Sequence, residues 1–524
     1  MPSFEISLID LSVVIGYFIL VLAIGLYIGR KTKTGEDLFL GGRSFGWGLV
    51  GLSLFASNIS SSTIIGLSGA AYSTGVVNSF YEWGSAIPLI AAAVIFVPLY
   101  LNARITTIPE FLELRYDVRS RNFFSAVTIF ISVIVEMAGG LYAGALVLQF
   151  FFPDLILWQT CLIIAIAAGL YTAFGGLKAV VYTDALQAII LIIGCSVLTY
   201  ILYERLDFSW DNVLAAVPEG HFSMIRPMDD ETMPWLGLIV GAPLLGFWYW
   251  STNQFIVQRV LGSKDVTHAR WGIMFAGLLK FVPLFIMVIP GAMAISLFPG
   301  LDNPDVVFPT VMSEILPTGL LGLVLAGLVS AIMSSVDSTL NSASTLIVVD
   351  FIKPRNPDLS EEKAASYGRI TTLVLMVVAA IWAPLISNFS GLWQYLQQMF
   401  SIVVPPIAVI FLVGVFFKKA DGRAAIWTLA FGTLLGVVLF VLEQMGLWSL
   451  HYTFNVGIIF GLSTILFLVL GSVGERPSDE VIARFTFNQA HLRAGTEGKP
   501  FYLDYRVHAV ILLVAVLLVF LFFN

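Results

Sequence analysis

The sequence predicts an all-α membrane protein of about fourteen transmembrane helices with a five-plus-five inverted-repeat core. Three observations carry that expectation. Hydrophobic residues make up 58% of the 524 and charged residues only 12%, against roughly a quarter charged in soluble domains. Apolar stretches of about 18 residues or more, long enough to cross a bilayer, recur along almost the whole chain. Basic residues also alternate from loop to loop, as they do when cytoplasmic loops collect Lys and Arg.

Taken in order, the apolar stretches fall near 8–29, 45–71, 77–102, 122–152, 157–175, 179–203, 235–258, 271–298, 315–349, 370–387, 394–417, 424–443, 452–472 and 507–523. With that count, 24 of the 27 basic residues lie on one side of the membrane, Arg205 and Arg226 lie on the other, and Lys280 is left inside. A wrong count would scramble the alternation, so both termini are expected outside the cytoplasm. The first stretch lacks a basic leader and is too long for a cleavable signal peptide. Cys161 and Cys195 both fall within spans, so no disulfide framework is expected.

The chain divides accordingly. Residues 1–44 hold the first helix and a cytoplasmic loop, and 45–203 the first five-helix repeat. An acidic extracytoplasmic loop covers 204–234, with the second five-helix repeat at 235–417 and three peripheral C-terminal helices at 418–524. Five is odd, so the second repeat enters from the opposite face. That arithmetic predicts a site at mid-membrane between two broken helices.

Both breaks are visible. The second span has the centre Ala56-Ser57-Asn58-Ile59-Ser60-Ser61-Ser62-Thr63, in which six of eight side chains carry a hydroxyl or amide. Such groups sit at mid-depth where they line a cavity or meet an ion, and a break there frees carbonyls suited to a hard cation such as sodium. The matching helix at 235–258 is interrupted at Gly246-Phe247-Trp248-Tyr249-Trp250-Ser251-Thr252-Asn253-Gln254.

Ionisable residues at depth point to function, because burying a charge in the membrane is costly. Glu82 and Lys280 together offer the acceptors and donors that a hydroxyl-rich neutral solute needs; the plainer alternative is a structural ion pair. Asp184 lies near the inner end of the sixth span. Glu136, within the fourth, reads as structural. In the ninth span Ser334 and Ser338 share a helical face, with Ser335 adjoining. Small hydroxyls can serve close packing alone, but beside Asp337 they suit an ion.

These residues resemble those of the sodium/solute symporter family, and within it the sodium–sugar symporters such as the bacterial sodium–galactose symporter. The resemblance covers roughly 8–470. It rests on Ser57-Asn58-Ile59, Tyr81-Glu82-Trp83 with Ser85, Gly175-Gly176-Leu177-Lys178-Ala179-Val180 leading to Asp184, Tyr249-Trp250 with Asn253-Gln254, Gln258-Arg259, Lys280, Ser334-Ser335 with Asn341-Ser342, and Gln394-Tyr395-Leu396-Gln397. It implies a leucine-transporter-like fold and sodium-coupled import of a neutral sugar or polyol by alternating access. Another small solute (sialic acid, an amino acid or a vitamin) is the alternative. The implied sodium ligands are the carbonyls of Ala56, Ile59 and Ala331 and the hydroxyls of Ser334 and Ser335. The implied solute ligands are Asn58, Glu82, Ser85, Lys280 and Gln397, with Thr63 beside them. Tyr249 is implied as inner gate, and Leu67, Tyr81 and Trp393 as the cap on the other side.

Two departures matter. Thr63 and Gly246 stand where the galactose symporter has glutamine and asparagine, so the solute is expected to differ from galactose. Asp337 and Ser338 replace apolar residues, which suggests a second sodium site formed by Asp184, Ser334, Asp337 and Ser338. The expected location is a cell membrane, a bacterial inner membrane, with sodium, solute and lipid as partners and no obligate protein partner. Other classes find no support. The five histidines are scattered, and neither a nucleophile–base pair, a metal-ligand cluster nor a phosphate-binding loop is present. No nucleic-acid partner is indicated, and the protein is not expected to be an enzyme.

Overall fold

The computed structural model describes residues 6–29, 40–105, 107–172, 177–389, 391–496 and 498–523. Within the helices, the side chains of 22, 25, 26, 29, 167–172, 330, 333, 334, 337, 341, 361, 362, 364, 365 and 369 lie outside the description. Ser334 and Asp337, two of the expected sodium ligands, are among these; Gly175, Gly176, Arg30, Lys31 and Lys33 lie outside the described residues altogether.

Among the described residues the regular structure is helical, apart from one isolated bridge between Phe45 and Ser263. The helices that matter here are α1 (Leu8–Gly29), α2 (Trp47–Asn58), α3 (Ser61–Thr74), α4 (Val76–Ala103), α5 (Val118–Phe151), α6 (Leu157–Thr172) and α7 (Leu177–Glu204). They continue with α8 (Trp235–Ser251), α9 (Gln254–Leu261), α10 (Val266–Leu297), α11 (Leu320–Leu346), α12 (Glu361–Trp382), α13 (Leu392–Phe416), α14 (Gly422–Gln444), α15 (Tyr452–Val473) and α16 (Tyr505–Phe522). Among the described residues nine helices are long and apolar enough to cross a membrane, or ten when the bent pair α2–α3 is one span. Four shorter apolar helices, Leu8–Val21, Leu157–Ile166, Trp235–Ser251 and Leu320–Val329, fall at four of the remaining predicted stretches.

Close packing of small residues sets where the broken span sits. A Cβ on Gly51 would meet the Gly272 carbonyl at 2.9 Å, and a Cβ on Gly272 would meet Val50 at 2.7 Å. Glycine at both positions therefore lets α2 and α10 approach backbone to backbone. Gly291 does the same farther along α10, where a Cβ would meet the Ser68 carbonyl of α3 at 2.4 Å. Both halves of the bent pair are thus held against the helix that carries Lys280.

The depth of α11 is fixed by a cap from another helix. Asp10 of α1 is buried, and its Oδ1 accepts from the backbone N–H groups of Gly319 and Gly322, each at 2.7 Å. A carboxylate there satisfies orphan donors and meets the positive end of the helix dipole. On the basic side, Arg115 donates to the carbonyls of Gly414, Phe417 and Ala420 and so staples α13 to the segment before α5.

Candidate functional site

The break between α2 and α3 bends the span by 60°. Hydroxyl groups make it. Ser60 N-caps α3 by accepting from the Thr63 N–H at 3.2 Å, the standard role of serine at a helix start. The Ser60 N–H donates to the Asn58 carbonyl at 2.9 Å, and Thr63 Oγ1 donates to the same carbonyl at 2.8 Å. Ser60 and Thr63 thereby turn their N–H groups away from the Ala56 and Ile59 carbonyls, which would receive them in an unbroken helix. Those are the two carbonyls expected to ligate sodium. On α11, which packs against both α2 and α3, Ser335 Oγ donates to the Ala331 carbonyl at 2.8 Å. Carbonyls and a hydroxyl form a donor set that fits an alkali cation. Among the described residues no cluster of three His, Cys, Asp or Glu competes for another metal.

Beside this break lies a cavity of ≈ 110 Å³. Its wall brings together Asn58, Thr63, Tyr81, Glu82, Ser85, Tyr249, Trp393, Gln397, Ser335 and Ser338, all singled out from the sequence. Lys280 is not on that wall. It is fully buried behind it and donates to both Glu82 Oε2 and Asn58 Oδ1, orienting two wall residues. Its Nζ also sits 5.2 Å from the Trp250 ring centre. The expected direct contact between Lys280 and solute is thus replaced by a supporting position, because α10 packs one layer behind α2 and α4. Leu67 departs from expectation too: it is fully buried in the packing of α3 and off the cavity wall.

Aromatic side chains close the cavity. Tyr81 and Trp393 meet edge to face at 5.5 Å, and the Tyr81 hydroxyl pairs with that of Tyr452 at 2.8 Å. Tyr249 packs edge-on against Trp250 at 5.1 Å and Phe255 at 5.9 Å and is hydrogen bonded to Asn58. The Ser85 hydroxyl donates to the Tyr81 carbonyl. The buried indole N–H groups of Trp248 and Trp393 have no partner, so the wall keeps polar capacity of its own.

Asp184 occupies a different setting from the one expected. Its Oδ2 accepts from Ser53 at 3.1 Å, Ser57 at 3.3 Å and Arg259 Nη2 at 3.1 Å. Arg259 also reaches Ser53 at 3.0 Å and Ser338 at 3.4 Å and donates to the Phe255 carbonyl. The guanidinium therefore joins the two described members of the expected second sodium site. The sequence offered Arg259 as a basic residue at a span end and as part of the Gln258-Arg259 motif but named no partner for it, so the pairing was not foreseen.

Sequence reasoning also missed Glu136, Phe255 and Thr339, which line the cavity. Glu136 comes from a π-helical stretch, Ile131–Met137. Its charge within an apolar span was the available signal, read above as structural; the widening of the helix that turns it inward leaves no mark in hydropathy.

The family model described as sodium:solute symporter family matches residues 38–432. Human sodium/myo-inositol cotransporter 2 is 34% identical over 539 residues, covering 92% of this chain and 79% of that protein. Mouse sodium/glucose cotransporter 4 is 31% identical, covering 93% and 78%. Among solved structures, a Na+-coupled sialic acid symporter in a substrate-bound outward-open state superposes with a TM-score of 0.78 at 21% identity, covering 90% of this chain and 99% of that one. A nucleobase-cation-symport-1 family transporter in a closed conformation gives 0.56 at 16% identity, covering 88% and 99%. At these identities the two structures speak for the fold alone.

Proposed function

The chain belongs to the sodium:solute symporter family, and from that premise we propose that it imports a neutral sugar or polyol together with sodium by alternating access. It is a multi-pass membrane transporter, not an enzyme, and sodium is its coupling ion. The finer architecture is fourteen spans with a five-plus-five repeat, both termini outside, in a bacterial cell membrane. Its support is the charge alternation of the sequence together with the four shorter apolar helices.

The observation that carries the solute class is the cavity wall. It offers Asn58, Glu82, Ser85 and Gln397 as hydrogen-bonding groups and Tyr81, Tyr249 and Trp393 as flat apolar faces. Few directed polar groups among aromatic surfaces match a polyol, whose ring presents hydroxyls at its rim and C–H groups on its faces. The cavity, at ≈ 110 Å³, is smaller than ligand pockets of roughly 300–1,000 Å³. Solute entry therefore requires the aromatic walls to spread, Tyr81 and Trp393 on one side and Tyr249 on the other.

Sodium would bind at the carbonyls of Ala56, Ile59 and Ala331 and the hydroxyls of Ser334 and Ser335. Its neutral ligands leave the ion's charge exposed to the membrane potential. Entry of one sodium at 100 mV supplies about 2.3 kcal/mol, and a tenfold gradient adds about 1.4 kcal/mol. Together they support roughly 500-fold accumulation. A second sodium at Asp184, Ser334, Asp337 and Ser338 would support about 10⁵-fold. Arg259 already meets Asp184 and Ser338, which favours one sodium. Charge moved per solute, equal in Asp337→Ala and wild type, would exclude the second site.

The test of function is uptake into proteoliposomes with and without an inward sodium gradient, from a panel of glucose, galactose, myo-inositol, sialic acid and proline. Sodium-driven uptake of a sugar or inositol, abolished in Glu82→Ala, is expected. Uptake of proline or sialic acid instead would overturn the solute class while leaving the sodium site standing.

A further inference from the structure

The cycle proposed above makes no use of Glu136, yet this carboxylate lies on the cavity wall. Its surroundings in the sequence are apolar, Val133-Ile134-Val135 before it and Met137 after it, and an acid at that depth is costly to keep. The backbone there is π-helical over Ile131–Met137, a rare widening that re-aims side chains and recurs at functional sites.

The two carboxylate oxygens are treated differently. Oε1 accepts from Asn253 Nδ2 at 2.9 Å. Asn253 cannot turn its amide round without loss, because its Oδ1 accepts from the Phe255 N–H at 3.3 Å and caps α9. Oε1 is thus held by the break in the second interrupted helix. Oε2 is buried and has no partner, and an unmet buried acceptor carries its full desolvation cost.

Two basic side chains of the site are committed elsewhere: Lys280 to Glu82 and Asn58, and Arg259 to Asp184, Ser53 and the Phe255 carbonyl. Each of those ion pairs balances internally, which leaves Glu136 as an acidic group without a cation of its own among them. Through Asn253, which caps α9, Glu136 is tied to the break between α8 and α9.

We infer that Glu136 is a further solute-contacting residue, its unpartnered oxygen a hydrogen-bonding group on the cavity wall for a hydroxyl or amino donor of the solute. This rests on the symport reading given above. It adds that selection among polyols depends on a donor facing Glu136.

The experiment is competition against sodium-driven uptake by the full chain in proteoliposomes. Competitors are the parent sugar or inositol, its monodeoxy analogues and glucosamine, applied to wild type, Glu136→Gln and Glu136→Ala. Glutamine retains an acceptor for Asn253 but replaces one oxygen with a donor amide. In wild type, one monodeoxy analogue is expected to compete about 10-fold or more weakly than the parent, the scale of a hydrogen bond to a charged group. In Glu136→Gln that analogue and the parent compete equally. An unchanged ranking of deoxy analogues in Glu136→Gln, with uptake retained, overturns the assignment and makes Glu136 a structural clamp on Asn253. If Glu136→Gln fails to fold, the same comparison in Glu136→Ala decides. A wild type that accumulates no neutral sugar or polyol with sodium overturns the solute class itself, and the hydroxyl assignment falls with it.

Discussion

Lys280→Met tests whether the wall of the cavity is held from behind. The Lys280–Glu82 pair is closed to water, with side chains 0% and 3% exposed. Methionine has similar length and keeps the packing against Trp250, so the change removes charge and little volume. What remains is a buried Glu82 carboxylate without its cation and an Asn58 Oδ1 without its donor. Removing one partner of a buried pair costs about 3–5 kcal/mol, and the orphaned amide oxygen adds on the order of 1 kcal/mol. The melting temperature of the detergent-purified protein is therefore expected to fall and uptake to vanish. In Lys280→Met/Glu82→Gln the uncompensated charge is gone, so most of the lost stability returns. Uptake stays absent, because Glu82 itself is on the wall. The combination separates support from contact. A Lys280→Met protein that melts like wild type, or a double variant no more stable than the single, would refute this account of the pair.

Further outcomes are expected at three other places. Ser335→Ala deletes a proposed sodium ligand, so sodium affinity measured by uptake titration is expected to fall, and solute affinity at fixed sodium to fall with it because linkage is reciprocal; unaltered sodium dependence would remove Ser335 from the proposed site. Asp10→Ala strips the cap from α11 and is expected to lower thermal stability by about 1–2 kcal/mol, whereas a melting curve identical to wild type would show that the Gly319 and Gly322 N–H groups find other partners. Asp305, in the loop segment Pro304–Val306, is buried and accepts from the Leu392 N–H at 3.2 Å, at the start of the helix bearing Trp393 and Gln397. Burial raises its carboxyl from 3.8 to about 6, against the lowering effects of the Leu392 N–H and the Tyr142 hydroxyl. A raised folded value means the stabilising contribution is complete below about pH 4 and is lost as pH rises through about 6. Stability should thus increase from pH 7 to pH 5 by about 1.4 kcal/mol, raising the melting temperature, and Asp305→Asn should flatten that rise.

The break in α2–α3 was legible because its cause is local. Ser60 and Thr63 bend the chain through their own backbone partners three to five residues away, so the polar run announces the geometry that it builds. The second interruption was legible only in part: Gly246–Ser251 stay helical in α8, and the chain breaks at Thr252-Asn253, where Asn253 caps its own helix. The placement of Lys280 was not, since the sequence shows a charge at depth but not which layer it occupies. Gly51 and Gly272 decide that, by letting α10 lie directly behind α2. Arg259 on Asp184 and Glu136 on the cavity wall were hidden likewise, the first by a partner 75 residues away and the second by a local helical widening.

The sequence by itself determined the membrane setting, the break in the second span and the family to which these point. Those follow from solvation: a charged group or an unpaired carbonyl must find water, an ion or a partner, and that demand is written one residue at a time. Only the tertiary structure decided which charges cancel one another. Ion pairing is set by distances between helices far apart in the chain, so Lys280 and Arg259 become supports, and Glu136 is left facing the solute's path.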